Sequence, residues 1–220
     1  MNYDGLIEKL MQHFSSGDYA GEVNAAKKQF FESAGVFDEE SSDFEQKMTQ
    51  FMDWFLFSRP FGGQGVSPIK SVKAGRISLS LNSDESTQLD LLDQNRHSIF
   101  EFLKTKNGDV YIKDLFANEK LVIKNSAVTI GFERDQLFEA RLIPSADTYI
   151  FTQSFCFHPP NATKYILKEI KRVRKTKDEG ERLKEKEMLI MKLFKMRYKF
   201  EQYRHVDIKE IYTNEPRLRI

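Results

Sequence analysis

Cysteine is almost missing from this sequence. Cys156 stands alone among 220 residues, which excludes an internal disulfide framework and a multi-cysteine zinc site. Histidine is nearly as sparse, at positions 13, 97, 158 and 205, with no pair at metal-ligand spacing. Only eleven Gly and six Pro occur, which argues against disorder of the whole chain. No apolar run approaches the roughly 18 residues of a membrane span. The opening MNYDGLIEKL carries Asp4 and Glu8 where a secretory signal carries basic residues, so the expected location is the cytoplasm. Walker, GxSxG and HExxH patterns do not occur, and FGGQG lacks both a following Lys and a preceding strand. No cofactor is expected.

What the chain has is phenylalanine: nineteen of them, within 40% hydrophobic content, supply the apolar surface that a packed core needs. The N-terminal part reads as helices. Leu6, Ile7, Leu10, Met11 and Phe14 recur at helical spacing before Ser15, Ser16 and Gly17. Asp18 is placed to cap a second helix with Val23, Ala26 and Phe30 on one stripe before Gly35. Ser42 and Glu45 stand at capping-box spacing ahead of Phe44, Met48, Phe51, Met52 and Phe55. Trp54, Leu56 and Phe57 make the end of that helix apolar nearly all round, the pattern of a core helix rather than a cofactor box. Beyond it, SPIKSV suggests one helical turn, RISLSL alternates like a short strand, and NSDESTQLDLLDQN suggests a helix capped near Asn82 or Ser83.

Strand patterning follows. In RHSIFEFLKTKNGDVYIKDLF, Asn107 and Gly108 both tolerate the positive φ of a two-residue type I′ turn. Such a turn pairs Thr105 with Val110 and Leu103 with Ile112 on one side, and Lys104 with Tyr111 and Phe102 with Lys113 on the other. KLVIKN adds a strand, and LFEARLI with TYIFTQSFCF forms a second hairpin across PSAD. Five strands in some sixty residues suggest a small SH3-like or OB-like barrel. The expected class is α+β: N-terminal helices over 1–97, a small antiparallel barrel over 98–158, and a long helix or helical hairpin over 159–220.

The order of FMDWFLFSRP, a glycine-containing connector with SPI, SIFEFLKTKNGDVYIKDLFANEKLVIKN and RDQLFEARLIP resembles a family of uncharacterised bacterial proteins, over roughly residues 40 to 158. Some members of that family carry a C-terminal SEC-C metal-binding motif. The resemblance implies the barrel-like middle and no known activity. No Cys/His cluster follows Cys156 here, so a zinc role is not carried over.

Charge is divided along the chain. From Pro159 onward 18 Lys and Arg face 10 Asp and Glu, a net of +8, which leaves −7 for residues 1–158 within an overall +1. Either the basic segment lies against the acidic body, or it forms a basic arm for an anionic partner. After Pro159, Pro160 and Asn161, a helix with Ile166, Ile170 and Val173 on its apolar stripe carries Lys168, Lys171, Arg172, Arg174 and Lys175 as candidate anion-binding residues for nucleic-acid phosphates or an anionic membrane surface, a pattern that equally fits an ordinary solvated helix whose stripe meets the body. A second helix, from about Glu181, repeats Leu189, Leu193, Met196, Phe200 and Tyr203 in a heptad seam. A seam so short more often docks on its own domain than dimerises, but its methionines also suit a partner-binding surface. Ser154, Cys156 and His158 project from one strand face. Same-face neighbours lie about 6.5 to 7 Å apart, too far for a thiol–imidazole pair to form directly. The sequence therefore suggests a non-enzymatic protein-interaction or adaptor module, with nucleic-acid binding through the basic helix as the alternative and an enzyme third.

Overall fold

The computed structural model describes residues 3–34, 39–40, 44–63, 65–129 and 131–215. Its helices are α1 (Asp4–Ser15), α2 (Ala20–Ala34), α3 (Phe44–Asp53), α4 (Pro68–Lys73) and α5 (Ser83–Asp93), then, after the strands, α6 (Thr163–Val173), α7 (Glu179–Gln202) and α8 (Ile208–Ile211). The strands are β1 (Arg96–Lys106), β2 (Asp109–Asp114), β3 (Glu119–Ile123), β4 (Leu137–Ser145) and β5 (Thr148–Phe157). The chain gathers into two compact units. One holds, in the main, residues up to 96 with residues 142–154, and the other holds residues 97–141 and 155 onward.

The first unit is built on aromatic packing. Helix α1 buries Leu6, Leu10 and Phe14. After α3 the chain widens into a π-turn over Trp54–Ser58, closed by Arg59 N–H donating to the Trp54 carbonyl at 2.9 Å. The extra residue per turn rotates successive side chains, so Phe55, Leu56 and Phe57 are all buried, as their uninterrupted apolar run requires. Phe14 meets Phe55 and Phe61 edge to face, as Phe30 meets Phe51. Each such pair contributes about 0.5–1.5 kcal/mol beyond burial. The capping box read at Ser42 lies outside the described residues. A complete one does form at α5, where Asn82 Oδ1 accepts from Glu85 N–H at 2.9 Å and Glu85 Oε2 accepts from Asn82 N–H at 2.8 Å. RISLSL forms no strand: only Ile77 of its apolar residues is fully buried, and alternation without a pairing edge does not hold an extended ladder.

The strands form one antiparallel sheet in the order β3-β2-β1-β4-β5. This corrects the expected barrel. Closure would require the outer strands β3 and β5 to pair, and among the described residues they stand at opposite edges of an open sheet. Asn107 and Gly108 take φ of 54° and 83°, as the type I′ turn demands. The expected register holds next to that turn, with Thr105 opposite Val110 and Lys104 opposite Tyr111, and then slips at a bulge at Leu103 that sets Phe102 opposite Ile112 and Glu101 opposite Lys113. The slip puts Phe100 and Phe102 on the same face as Val110 and Ile112, all four buried. It leaves Lys104, Tyr111, Glu101 and Lys113 together on the other face.

The core of the second unit contains Ile99, Leu115 and Leu137 from the sheet side, Ile166, Ile170 and Val173 from α6, and Leu189, Leu193 and Met196 from α7. Phe200 and Tyr203 pack against it half-buried. The heptad seam is thus occupied by the protein's own core, with Leu193 wholly inaccessible. Only a narrow apolar stripe is available on α6, and the seam of α7 helps to cover it.

Candidate functional site

Helix α6 sits with its buried stripe, Ile166, Ile170 and Val173, in that core, so the residues between, Glu169 excepted, point outward. Its orientation is held from below by Glu169. This carboxylate, almost inaccessible, accepts from Arg172 Nε at 3.2 Å and from Asn214 Nδ2 at 3.0 Å. Asn214 Oδ1 in turn accepts from Tyr165 Oη at 2.9 Å and Lys192 Nζ at 2.5 Å. Opposite α6, the end of β2 turns into β3 through Leu115–Asn118. Buried Asp114 shapes that turn: its Oδ1 accepts from Ser98 Oγ at 2.7 Å and from the backbone N–H groups of Phe116 and Ala117 at 2.9 and 3.0 Å. Asn118 completes it with φ of 57°.

Between these two pieces lies a concavity of about 450 Å³, lined by Lys113, Leu115 and Asn118 on the sheet side and Leu167, Ile170, Lys171, Arg174 and Lys175 on the helix side. Four cations stand around an aliphatic floor. Among the described residues none of the four forms an ion pair. In the first unit Lys9 pairs with Glu85, Arg59 with Glu22, and Lys73 with Asp90 and Asp93, while Lys28, Lys70 and Arg76 form no ion pair among the described residues.

Of the five cations singled out from sequence, the structure brings Lys171, Arg174 and Lys175 together in this groove. Arg172 is engaged with Glu169 instead, and Lys168 is exposed outside the lining. Lys113, Leu115 and Asn118 were missed, because only the pairing of a distant turn with α6 makes them neighbours; Leu167, one turn before Lys171 on the same helix, was within reach of helical spacing. One signal was available: Lys113 alternates with buried Ile112 and so had to face away from it.

A second polar cluster lies in the same unit, with His97 buried and Glu187 partly exposed. His97 Nδ1 lies 3.0 Å from Glu187 Oε2 and His97 Nε2 lies 3.0 Å from Glu139 Oε1. Since carboxylates only accept, both ring nitrogens must donate, and the ring is an imidazolium. Burial and nearby Arg141 oppose that charge, but the two carboxylates outweigh them and His97 is raised to about 9. Burial works against ionised Glu187 too, yet His97 holds it down at about 2.

Cys156 and His158, the remaining sequence candidates, are buried with Ser154. Burial pushes the Cys156 thiol well above its ordinary range and, with Arg197, depresses His158 to about 3. His158 Nδ1 contacts Tyr212 Oη at 3.3 Å, and Cys156 makes no hydrogen bond among the described residues. A neutral thiol without a base is not an activated nucleophile. Among the described residues no group of three or more His, Cys, Asp or Glu is placed to hold a metal, and no helix is long and apolar enough to cross a membrane.

The chain belongs to a family of unknown function, DUF7986, whose model matches residues 2–205. That description names no activity, metal or source. No curated protein and no solved structure matches the chain.

Proposed function

We propose that this member of the family is a non-enzymatic protein-interaction module, and that its groove takes an acidic segment of a partner protein with one apolar anchor side chain. The observation that carries the reading is the set of four cations without ion pairs around an aliphatic floor. What sets these four apart is that they converge on one concavity whose lining carries no acid among the described residues, where an anionic ligand would relieve their mutual repulsion. The apolar floor adds what a phosphate backbone does not need. Leu115, Leu167 and Ile170 suit a Leu or Met side chain entering between carboxylates, and the size of the concavity is within the range of ligand pockets.

Nucleic acid is the alternative, resting on the same cations. It is the weaker reading because single-strand binders stack bases on open aromatic rings, and among the described residues no aromatic side chain lines this groove. The sequence pI of about 7.8 is also below that of most nucleic-acid-binding domains.

The test is fluorescence anisotropy with a labelled peptide rich in Glu around a central Leu, against Lys171→Glu/Arg174→Glu and against Leu167→Asp. Both variants are expected to lose at least about tenfold in affinity while circular dichroism remains unchanged. Retention of peptide affinity by both variants would sink the proposal, and binding of an oligo-uridylate in preference to the peptide would move the function to the alternative.

A further inference from the structure

We infer that the binding surface does not end at the groove but continues across the exposed face of β2 and β3, so that the acidic segment lies there in extended form and contacts Lys104, Tyr111 and Lys120 as well. This inference rests on the groove reading and lengthens it.

The continuity comes from Lys113, which lines the groove and also belongs to the sheet ladder. Lys120 is directly opposite Lys113 on β3, and Val122 is directly opposite Tyr111. Opposed residues in an antiparallel pair project to the same face. Tyr111 is two residues from Lys113 and faces the same way, and beyond it Lys104 lies over the Tyr111 ring at 4.8 Å from its centre. That shared face follows from the pairing next to the turn, where Lys104 is opposite Tyr111, and does not need the bulge at Leu103; the bulge sets Glu101 rather than Phe102 opposite Lys113.

Two features mark the surface as a ligand face rather than ordinary solvated sheet. First, Lys113 and Lys120 are like charges directly opposite each other, an arrangement that destabilises a sheet unless an anion is supplied. Second, neither forms an ion pair among the described residues, although Glu101 stands opposite Lys113 on the other side. An external carboxylate between the two lysines would relieve the repulsion. Successive same-face positions on a strand are about 6.5 to 7 Å apart, which is also the repeat of alternate side chains in an extended peptide, so carboxylates at alternate positions match the step from the Lys113 pair to Lys104. Extended nucleic acid could follow a similar path, but Lys104 already lies over the Tyr111 ring where a base would stack.

The experiment uses the full chain and two labelled peptides: one of about six residues with Leu among Glu, about 20 Å long when extended and enough for the groove alone, and one of about twelve that adds alternating Glu and Ser. Wild type should bind the longer peptide about tenfold more tightly. In Lys104→Glu/Lys120→Glu the short peptide should keep its affinity within about twofold, while the longer one loses about tenfold. Lys120→Glu alone should melt about 1 to 3 °C higher than wild type, because it replaces a like-charge pair by an attractive one; a merely structural lysine would not combine higher stability with weaker binding. Equal affinity of wild type for the two peptides, or equal effects of the double variant on both, would overturn the inference while leaving the groove intact. An oligo-uridylate displacing the longer peptide at equal concentration would overturn it as well. If instead Lys171→Glu/Arg174→Glu binds the short peptide as wild type does, the groove reading itself has failed; loss of the longer peptide in Lys104→Glu/Lys120→Glu would then leave the sheet face standing alone.

Discussion

His97 shows how much one residue can be fixed by its surroundings. Its imidazolium joins Glu139 on β4 to Glu187 on α7, and its charge exists because both ring nitrogens have carboxylate acceptors. The consequence for stability has a definite sign. A group raised from 6.5 to about 9 on folding contributes fully below pH 6.5 and loses its contribution as pH rises through 9. Glu187, lowered from 4.5 to about 2, contributes above pH 4.5 and loses that contribution as pH falls through 2. His158, depressed to about 3, acts in the same direction as Glu187, losing its contribution between pH 6.5 and 3. Melting temperature measured from pH 3 to 10 should therefore peak near neutrality, and His97→Gln should flatten the alkaline limb between pH 6.5 and 9. An alkaline limb of unchanged steepness in that variant would contradict the assignment. At the other end of β1, Gly108→Val must place a β-branched residue at φ of 83°, with an expected loss of about 1–3 kcal/mol in denaturant titration. An unchanged midpoint would argue against the turn.

At the scale of elements, the β2–β3 turn and α6 make the groove, and each is held by one buried acid. Asp114→Ala would remove the acceptor of two backbone N–H groups and one hydroxyl, costing about 1–3 kcal/mol and lowering groove affinity together with stability. Leu193→Ala, in the core seam of α7, should cost about 2–5 kcal/mol in chemical denaturation while leaving peptide affinity unchanged under conditions where the variant is folded. Selective loss of binding in that variant would restore the seam as a partner surface. Local patterns were what the sequence made readable. The helical stripes, the Asn107–Gly108 turn and the strands of the second hairpin are each set by neighbours a few residues away. The bulge at Leu103, the open sheet and the idle RISLSL depend on what packs or pairs from far along the chain, and no short window contains that. The candidate site divides in the same way: Lys171, Arg174 and Lys175 were visible as a basic run, whereas Lys113 and Leu115 became part of the site only when the sheet met α6.

For the whole molecule, the question is whether net charge or its placement governs binding. The chain carries +1 overall, with the basic excess after Pro159 balanced by the acidic excess before it, so long-range attraction for an acidic partner is weak at the start. Affinity must then come from the groove, where cations lie close together above a floor that excludes water from one side, and it should fall with salt without vanishing, because the apolar anchor is not screened. A matched pair of variants separates the two ideas. Lys171→Glu/Arg174→Glu and Lys184→Glu/Lys195→Glu change net charge by the same amount, but the second pair lies on α7 outside the groove lining. If placement governs, the first variant loses about tenfold or more in peptide affinity and most of the salt dependence, while the second stays within about twofold of wild type at physiological ionic strength. Equal losses in the two variants would mean that the peptide responds to overall charge, and the groove would then be a concavity without a specific role.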